Sequence, residues 1–267
     1  MIDTLEPEAL TERLATAWMG RRHLHVTSCG STNDLAAGEA RAGAPAGTLI
    51  TADEQTAGRG RLGRVWHAAP GENLTFSVVL RPARPAAEIP TLTLLAGGAV
   101  AQALGALGFP ARLKWPNDVL LRVDGRPRKV AGILTEAATL GTDVSHVIVG
   151  IGLNVNVADF PAEIAARATS LRLLRGAVLP RAEVLARVLA RFEAAADDFQ
   201  DRGPAAATAL WDAHADRELR CRAHLDGRDV EGWPDGVAAD GSLRLRDDDD
   251  RIHRVMSGEI VAVIDGG

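Results

Sequence analysis

The feature that most restricts this fold is a change of texture near residue 215. Before it, strand-like runs alternate with segments of helical period. After it, short β-prone pieces (ELRCRAHL, DVEGW, GVAAD, SLRLR, RIHRV, EIVAVI) follow one another between Gly- and Asp-rich turns, with no helical period. Such spacing predicts a small all-β barrel of about 50 residues. The chain therefore divides into a larger unit, 1–215, and a β unit, 216–267. The acidic run Asp247–Asp250 within the second reads as a solvated turn.

In the larger unit, residues 5–18 have helix-compatible spacing, and HLHVTSC (23–29) reads as a strand. Ser31-Thr32-Asn33 can cap the helix that follows, which Gly43 would stop. GTLITADEQ and LTFSVVLRP read as strands and 91–108 as an Ala/Leu/Gly helix; ARLKWPNDVLLR, KVAGILTEAA and HVIVGIGLNVN are three further strand-like runs. DGRP (124–127) reads as a hairpin turn between the first two of these. Val184, Leu185, Val188, Leu189, Phe192 and Phe199 place one apolar stripe along a helix over 181–202.

The net charge of −5 argues against a general nucleic-acid binder or a polybasic membrane-surface protein. The acidic start MIDTLEPEAL is not a signal peptide, and no apolar run approaches the length of a bilayer span. A cytoplasmic protein is expected. Cys29 and Cys221 form no disulfide framework, and a buried free thiol is the expectation for Cys29. The seven histidines lack metal-ligand spacing, and the sequence holds neither a Walker A stretch nor a G-x-S-x-G elbow.

Gly58-Arg59-Gly60-Arg61-Leu62-Gly63 satisfies G-x-G-x-x-G, the dinucleotide fingerprint. That fingerprint needs a helix to open directly after the glycines, whereas here the chain runs through Trp66, Pro70 and Gly71 into a strand. Arg59, Arg61 and Arg64 on a glycine-rich loop suit a different task, closing bidentately over a carboxylate or phosphate. With mutually repelling arginines and no apolar anchor before Trp66, the loop at 57–66 is expected to be mobile until a ligand pairs its charges. A basic surface loop is the plainer alternative.

Only two of the 30 basic residues are lysine, and both lie in unusual segments. Lys114-Trp115-Pro116-Asn117-Asp118 interrupts an apolar run, and its proline should break the strand and turn the polar groups outward. A lysine beside an aspartate suits nucleotide chemistry, although a chance edge salt bridge would look the same. Lys129 precedes VAGILTEA, where Gly132 would let a ligand sit against the strand. Gly150 and Gly152 interrupt a β-branched run, as close backbone approach or a bulge would require.

In order and spacing, Ser31-Thr-Asn, Gln55-Thr-Ala-Gly-Arg-Gly-Arg-x-Gly-Arg, Lys114-Trp-Pro-Asn-Asp, Lys129-x-x-Gly-Ile-Leu and Gly150-x-Gly-x-Asn resemble the biotin protein ligase family over about residues 20–175. The resemblance implies an α+β fold: a mixed-sheet catalytic domain of class II synthetase-like type, then an SH3-like barrel. It implies activation of biotin with ATP to biotinyl-5′-AMP and transfer to a lysine of the biotin carboxyl carrier domain of a biotin-dependent carboxylase, with Mg²⁺ as the accompanying ion. It places biotin against Ser31, Thr32, Asn33, Gln55, Gly58, Arg59, Arg61, Lys129, Gly132 and Gly150. The nucleotide falls to Arg61, Arg64, Trp66, Lys114, Asn117 and Asn154, the metal to Asp118, and the catalytic roles to Arg59, Arg61, Lys114 and Lys129. Leu62 stands where relatives often carry another basic residue. Fewer than 25 residues precede the first core strand, too few for the helix-turn-helix of the repressor relatives, so no nucleic acid or membrane partner is expected. A monomer or weak homodimer is expected. The alternatives are a lipoate-protein ligase-like adenylating enzyme and a non-catalytic biotin-sensing protein.

Overall fold

The computed structural model describes residues 4–262 apart from 141–142, 226, 257 and 259. In chain order its elements are α1 (Pro7–Thr11), β1 (His23–Cys29), α2 (Thr32–Arg41), β2 (Leu49–Gln55), β3 (Leu74–Leu80), α3 (Leu92–Ala106), β4 (Arg112–Lys114), β5 (Asp118–Val123), β6 (Arg126–Leu140) and β7 (Asp143–Leu153). Then follow α4 (Ala162–Ala165), α5 (Leu171–Arg175), α6 (Arg181–Arg202), α7 (Pro204–His214), β8 (Cys221–Leu225), β9 (Arg228–Val237), β10 (Leu243–Arg246), β11 (Ile252–Val255) and β12 (Ile260–Ala262).

Two sheets form. The first has the order β1-β2-β3-β7-β6-β5-β4 and is mixed, since β1 and β2 run parallel across α2 while the other pairs are antiparallel. The second is antiparallel, in the order β11-β10-β9-β8-β12. This is the expected α+β class, with a second, antiparallel sheet in the C-terminal part of the chain. DVEGW and the start of GVAAD merge into one bent strand, β9, and the expected EIVAVI strand is described only at Ile260–Ala262, its other residues lying outside the described ones.

The period of two along each strand sorts side chains between the faces of the first sheet. Phe76, Val78, Val147, Val149 and Ile151 enter the main core beneath α3 and α6, while Ile50, Val79 and Ile148 meet Ala36 and Ala40 of α2 on the other face. The amphipathic stripe of α6 is buried as its spacing required. Trp115 of the Lys-Trp-Pro-Asn-Asp motif is buried, and its Nε1 donates to the Gly241 carbonyl at 2.9 Å, tying the break between β4 and β5 to the second sheet. Asp124 and Gly125, with φ of 51° and 74°, close the two-residue β5–β6 hairpin.

Two expectations need correction. The helix over 5–18 shrinks to Pro7–Thr11, because the amides of Ala17, Trp18 and Met19 turn to the carboxylate of Glu193 on α6, 2.6–2.7 Å away. A buried carboxylate accepting three amides outweighs the weak local propensity. Ala86–Ala106 is long and apolar enough by length and composition to cross a membrane, contrary to the sequence reading; most of it is buried in the core between sheet and helices. The Asp247–Asp250 run is the solvated turn expected, with Asp248, Asp249 and Asp250 exposed, and it also carries pairings, Asp248 2.7 Å from Arg220 and Asp247 2.6 Å from His253.

On β1, His23 Nε2 and His25 Nδ1 each lie 2.8 Å from Thr51 Oγ1. Burial, and then His25, lowers the His23 pKa from 6.5 to about 4. The unfolded chain therefore binds a proton that the folded one resists. Stability from this group is complete above about pH 6.5 and drains away as pH falls toward 4, by at most about 3 kcal/mol. Urea unfolding at pH 7, 5.5 and 4.5 should show that decline, and His23→Gln should flatten it; an unchanged slope in the variant would remove His23 as its source.

Candidate functional site

One cavity opens on the α2 face of the first sheet, beyond the helix N-terminus. Its floor is bare: Gly132 pairs Gly152 across β6 and β7, and Leu134 pairs Gly150. Glycine here makes room for side chains arriving from elsewhere. A Cβ on Gly152 would lie 2.3 Å from the Trp66 ring, and one on Gly132 would meet the Lys129 ammonium end at 3.0 Å and Trp66 at 3.3 Å. A Cβ on Gly150 would lie 2.1 Å from Asn33 Oδ1. What presses on the glycines is thus the protein's own aromatic and amide groups, where the sequence suggested a ligand.

One end of the cavity is neutral and polar. Ser31 caps α2, accepting from the Asn33 amide at 3.3 Å, and Ser31, Thr32 and Asn33 are all buried. Gln55 Oε1 accepts from the Thr32 amide and hydroxyl at 2.7 and 3.1 Å. Ser77 Oγ lies 2.6 Å from Asn33 Oδ1 and 2.8 Å from Thr32 Oγ1, and Asn33 Nδ2 donates to Glu136 at 2.5 Å. The triplet is therefore both a helix cap and a fixed set of donors and acceptors.

Away from the Ser31-Thr32-Asn33 triplet the lining is cationic, with Arg61, Arg64 and Lys129 beside the carboxylate of Asp118, while Arg59 lines the cavity paired to Asp34. Lys129 Nζ sits 2.5 Å from Asp118 Oδ1 and 5.6 Å from the centroid of Trp66, while Lys114 Nζ stands 3.7 Å from the other Asp118 oxygen. Inside a net-negative protein this concentrates positive charge where an anion would enter. Magnesium finds no ready-made site, because both Asp118 oxygens face ammonium groups. Among the described residues no group of three or more His, Cys, Asp or Glu could hold an ion. In this structure the carboxylate assigned to metal anchors two lysines.

The loop forms a folded hairpin: Trp66 N donates to the Gly58 carbonyl at 2.9 Å, Gly60 N to Arg64 O at 2.7 Å, and Arg59 bridges Val65. Leu62 forms its tip, 71% exposed and at φ 56°. Charge repulsion does not hold this segment open, because Arg59 already has carboxylate partners in Asp34 and Glu136.

Of the expected residues, the cavity gathers Ser31, Thr32, Asn33, Gln55, Arg59, Arg61, Arg64, Trp66, Asn117, Asp118, Lys129, Gly132 and Gly150. Three stand back. Gly58 backs Trp66 and Gln55, Lys114 reaches the site only through Asp118, and Asn154 spends its Nδ2 on the Thr169 carbonyl at 3.1 Å. Asn117 likewise donates to the Ile133 carbonyl at 2.9 Å. Sequence reasoning missed Ser77, Asp34 and Glu136. Ser77 had a signal, a polar residue amid the largely apolar LTFSVVL strand; the two acids had none. Cys29 is only half-buried and unbonded, its thiol pKa raised by burial and by Asp34.

The family model described as "Biotin/lipoate A/B protein ligase family" matches residues 26–154. The chain is 37% identical over 253 residues to the Bacillus subtilis "Bifunctional ligase/repressor BirA", covering 92% of this chain and 76% of that protein. It is 36% identical over 269 residues to the Mycobacterium tuberculosis "Biotin--[acetyl-CoA-carboxylase] ligase", covering 96% and 95%. Its fold matches the Aquifex aeolicus biotin protein ligase solved with biotin and ATP, with a TM-score of 0.74, 30% identity and 90% and 98% coverage.

Proposed function

This chain belongs to the biotin/lipoate A/B protein ligase family, and on that premise we propose that it is a biotin protein ligase. It activates biotin with ATP to biotinyl-5′-AMP and passes the biotin to a lysine of a biotin carboxyl carrier domain. The observation that carries this reading is the division of the cavity between a neutral hydrogen-bonding end and a cationic end. A ureido ring with a carboxylate tail has the same division.

The roles follow from position. Ser31, Thr32, Asn33 and Gln55 hold the ring. Lys129, Arg61 and Arg64 face the carboxylate and the α-phosphate, and the Trp66 ring and Asn117 bound the nucleotide side. The carboxylate oxygen attacks the α-phosphorus and the bond to pyrophosphate breaks. The protein contributes orientation and charge neutralisation to this step. In the second step the neutral amine of the acceptor attacks the mixed anhydride, its carbonyl–oxygen bond breaks, AMP leaves and the amine loses a proton. The β unit from residue 216 we assign as a separate domain, which meets the larger unit where Trp115 donates to the Gly241 carbonyl.

A lipoate-type substrate fits less well, because an apolar dithiolane ring would leave the Thr32, Asn33 and Gln55 groups without partners. A purely sensing role needs a partner for the carboxylate alone, whereas Lys129, Arg61 and Arg64 line the cavity together, as a carboxylate and a phosphate require. Exchange of labelled pyrophosphate into ATP should depend on biotin and be absent with lipoate. Exchange supported by lipoate alone, or by neither acid, would overturn the reading.

A further inference from the structure

The loop that closes the cavity is fastened by carboxylates outside the motifs. Arg59 makes a two-pronged contact with Asp34, Nη1 to Oδ2 at 2.8 Å and Nη2 to Oδ1 at 2.7 Å. Its Nη2 also lies 3.6 Å from Glu136 Oε1, while the other Glu136 oxygen takes the Asn33 amide at 2.5 Å. Asp34 follows Asn33 in the first turn of α2, and Glu136 shares the cavity-floor face of β6 with Gly132 and Leu134. One carboxylate pair therefore touches both the loop and the residue placed on the ring. The double hydrogen bond holds the Asp34 carboxyl below the usual carboxylate range and raises Arg59. Only a planar fork can span two oxygens in this way, so arginine is required at this position of the loop.

We infer that Asp34 and Glu136 are positioning residues that latch the Gly58–Trp66 loop through Arg59 and couple its closure to the orientation of Asn33. Arg59 is thereby engaged by the protein's own carboxylates. A ring bound against Asn33 steadies Glu136, and Glu136 steadies the arginine that shuts the loop. The partners are half-exposed, where single ion pairs contribute little, so the effects should be several-fold in size.

The test uses Asp34→Asn and Glu136→Gln in the full chain, with three readouts. Trypsin should cut at the loop arginines about fivefold faster in both free variants, and bound biotinyl-adenylate should be lost about fivefold faster. In Glu136→Gln the KM for biotin should rise by more than kcat falls, since Asn33 is released as well; Asp34→Asn should alter biotin KM less. Wild-type cleavage and retention in both single variants would overturn the latch, as would a fall in kcat with KM and retention unchanged, which would put these groups at the reacting atoms. The adenylate readouts rest on the ligase reading, whereas trypsin cleavage does not. A wild-type protein that forms no adenylate defeats that reading and leaves the latch to be judged by cleavage.

Discussion

Lys129→Arg is expected to slow biotin-dependent pyrophosphate exchange by roughly two orders of magnitude, the loss of about 3 kcal/mol of transition-state stabilisation. The geometry gives the reason. Lys129 lies flat over Gly132, its Cε and Nζ each 3.0 Å from where a Cβ would stand, with the ammonium held between Asp118 and the face of Trp66. A guanidinium is wider than that slot and would carry its charge past the carboxylate. Lys114→Arg should cost less, because Lys114 lies outside the cavity lining and acts only by steadying Asp118. Thermal midpoints should stay close to wild type for both, since Lys129 is a third exposed and its ion pair contributes modestly to folding. Exchange by Lys129→Arg at near wild-type rate would strip the residue of its assigned role. Equal losses in the two variants would mean that both ammonium groups reach the phosphates.

Gly150→Ala should raise the KM for biotin by about a hundredfold while the protein still folds. The new methyl would stand 2.1 Å from Asn33 Oδ1 and 2.9 Å from its Cγ. A longer side chain could swing aside. Asn33 cannot, being held through Ser77 at 2.6 Å and Glu136 at 2.5 Å, so relief means giving up those bonds and misdirecting the amide. Two misplaced hydrogen bonds at about 1–1.5 kcal/mol each account for the factor. Gly152→Ala provides the internal contrast: its methyl would strike the Trp66 ring at 2.3 Å, so the penalty should fall on the KM for ATP. Steady-state kinetics on the two variants should show the substrates exchanged. A biotin KM unaltered in Gly150→Ala would remove Asn33 from the ring-binding end.

What the sequence by itself determined is what local chemistry encodes. The buried stripe of α6 ends where its period ends, and the Asp124–Gly125 turn closes where residues tolerant of positive φ stand together. The chain-order motifs named the residues that gather around the cavity, and glycines breaking β-branched runs marked close approach before anything could say what approached. Tertiary structure decided the rest, because it alone sets register and distance. The pairing of Leu134 with Gly150 and of Ser77 with Gly150 places Ser77 and Glu136 on either side of Asn33, although the three are separated by 44 and 103 positions in the chain. The bend after β4 separates the two lysines, leaving one over the cavity floor and the other behind Asp118. Glu193, an ordinary helix residue by its neighbours, ends the N-terminal helix by gathering three amides from about 175 residues away. A carboxylate's partner is chosen by what the fold brings within 3 Å of it, and no local pattern carries that distance.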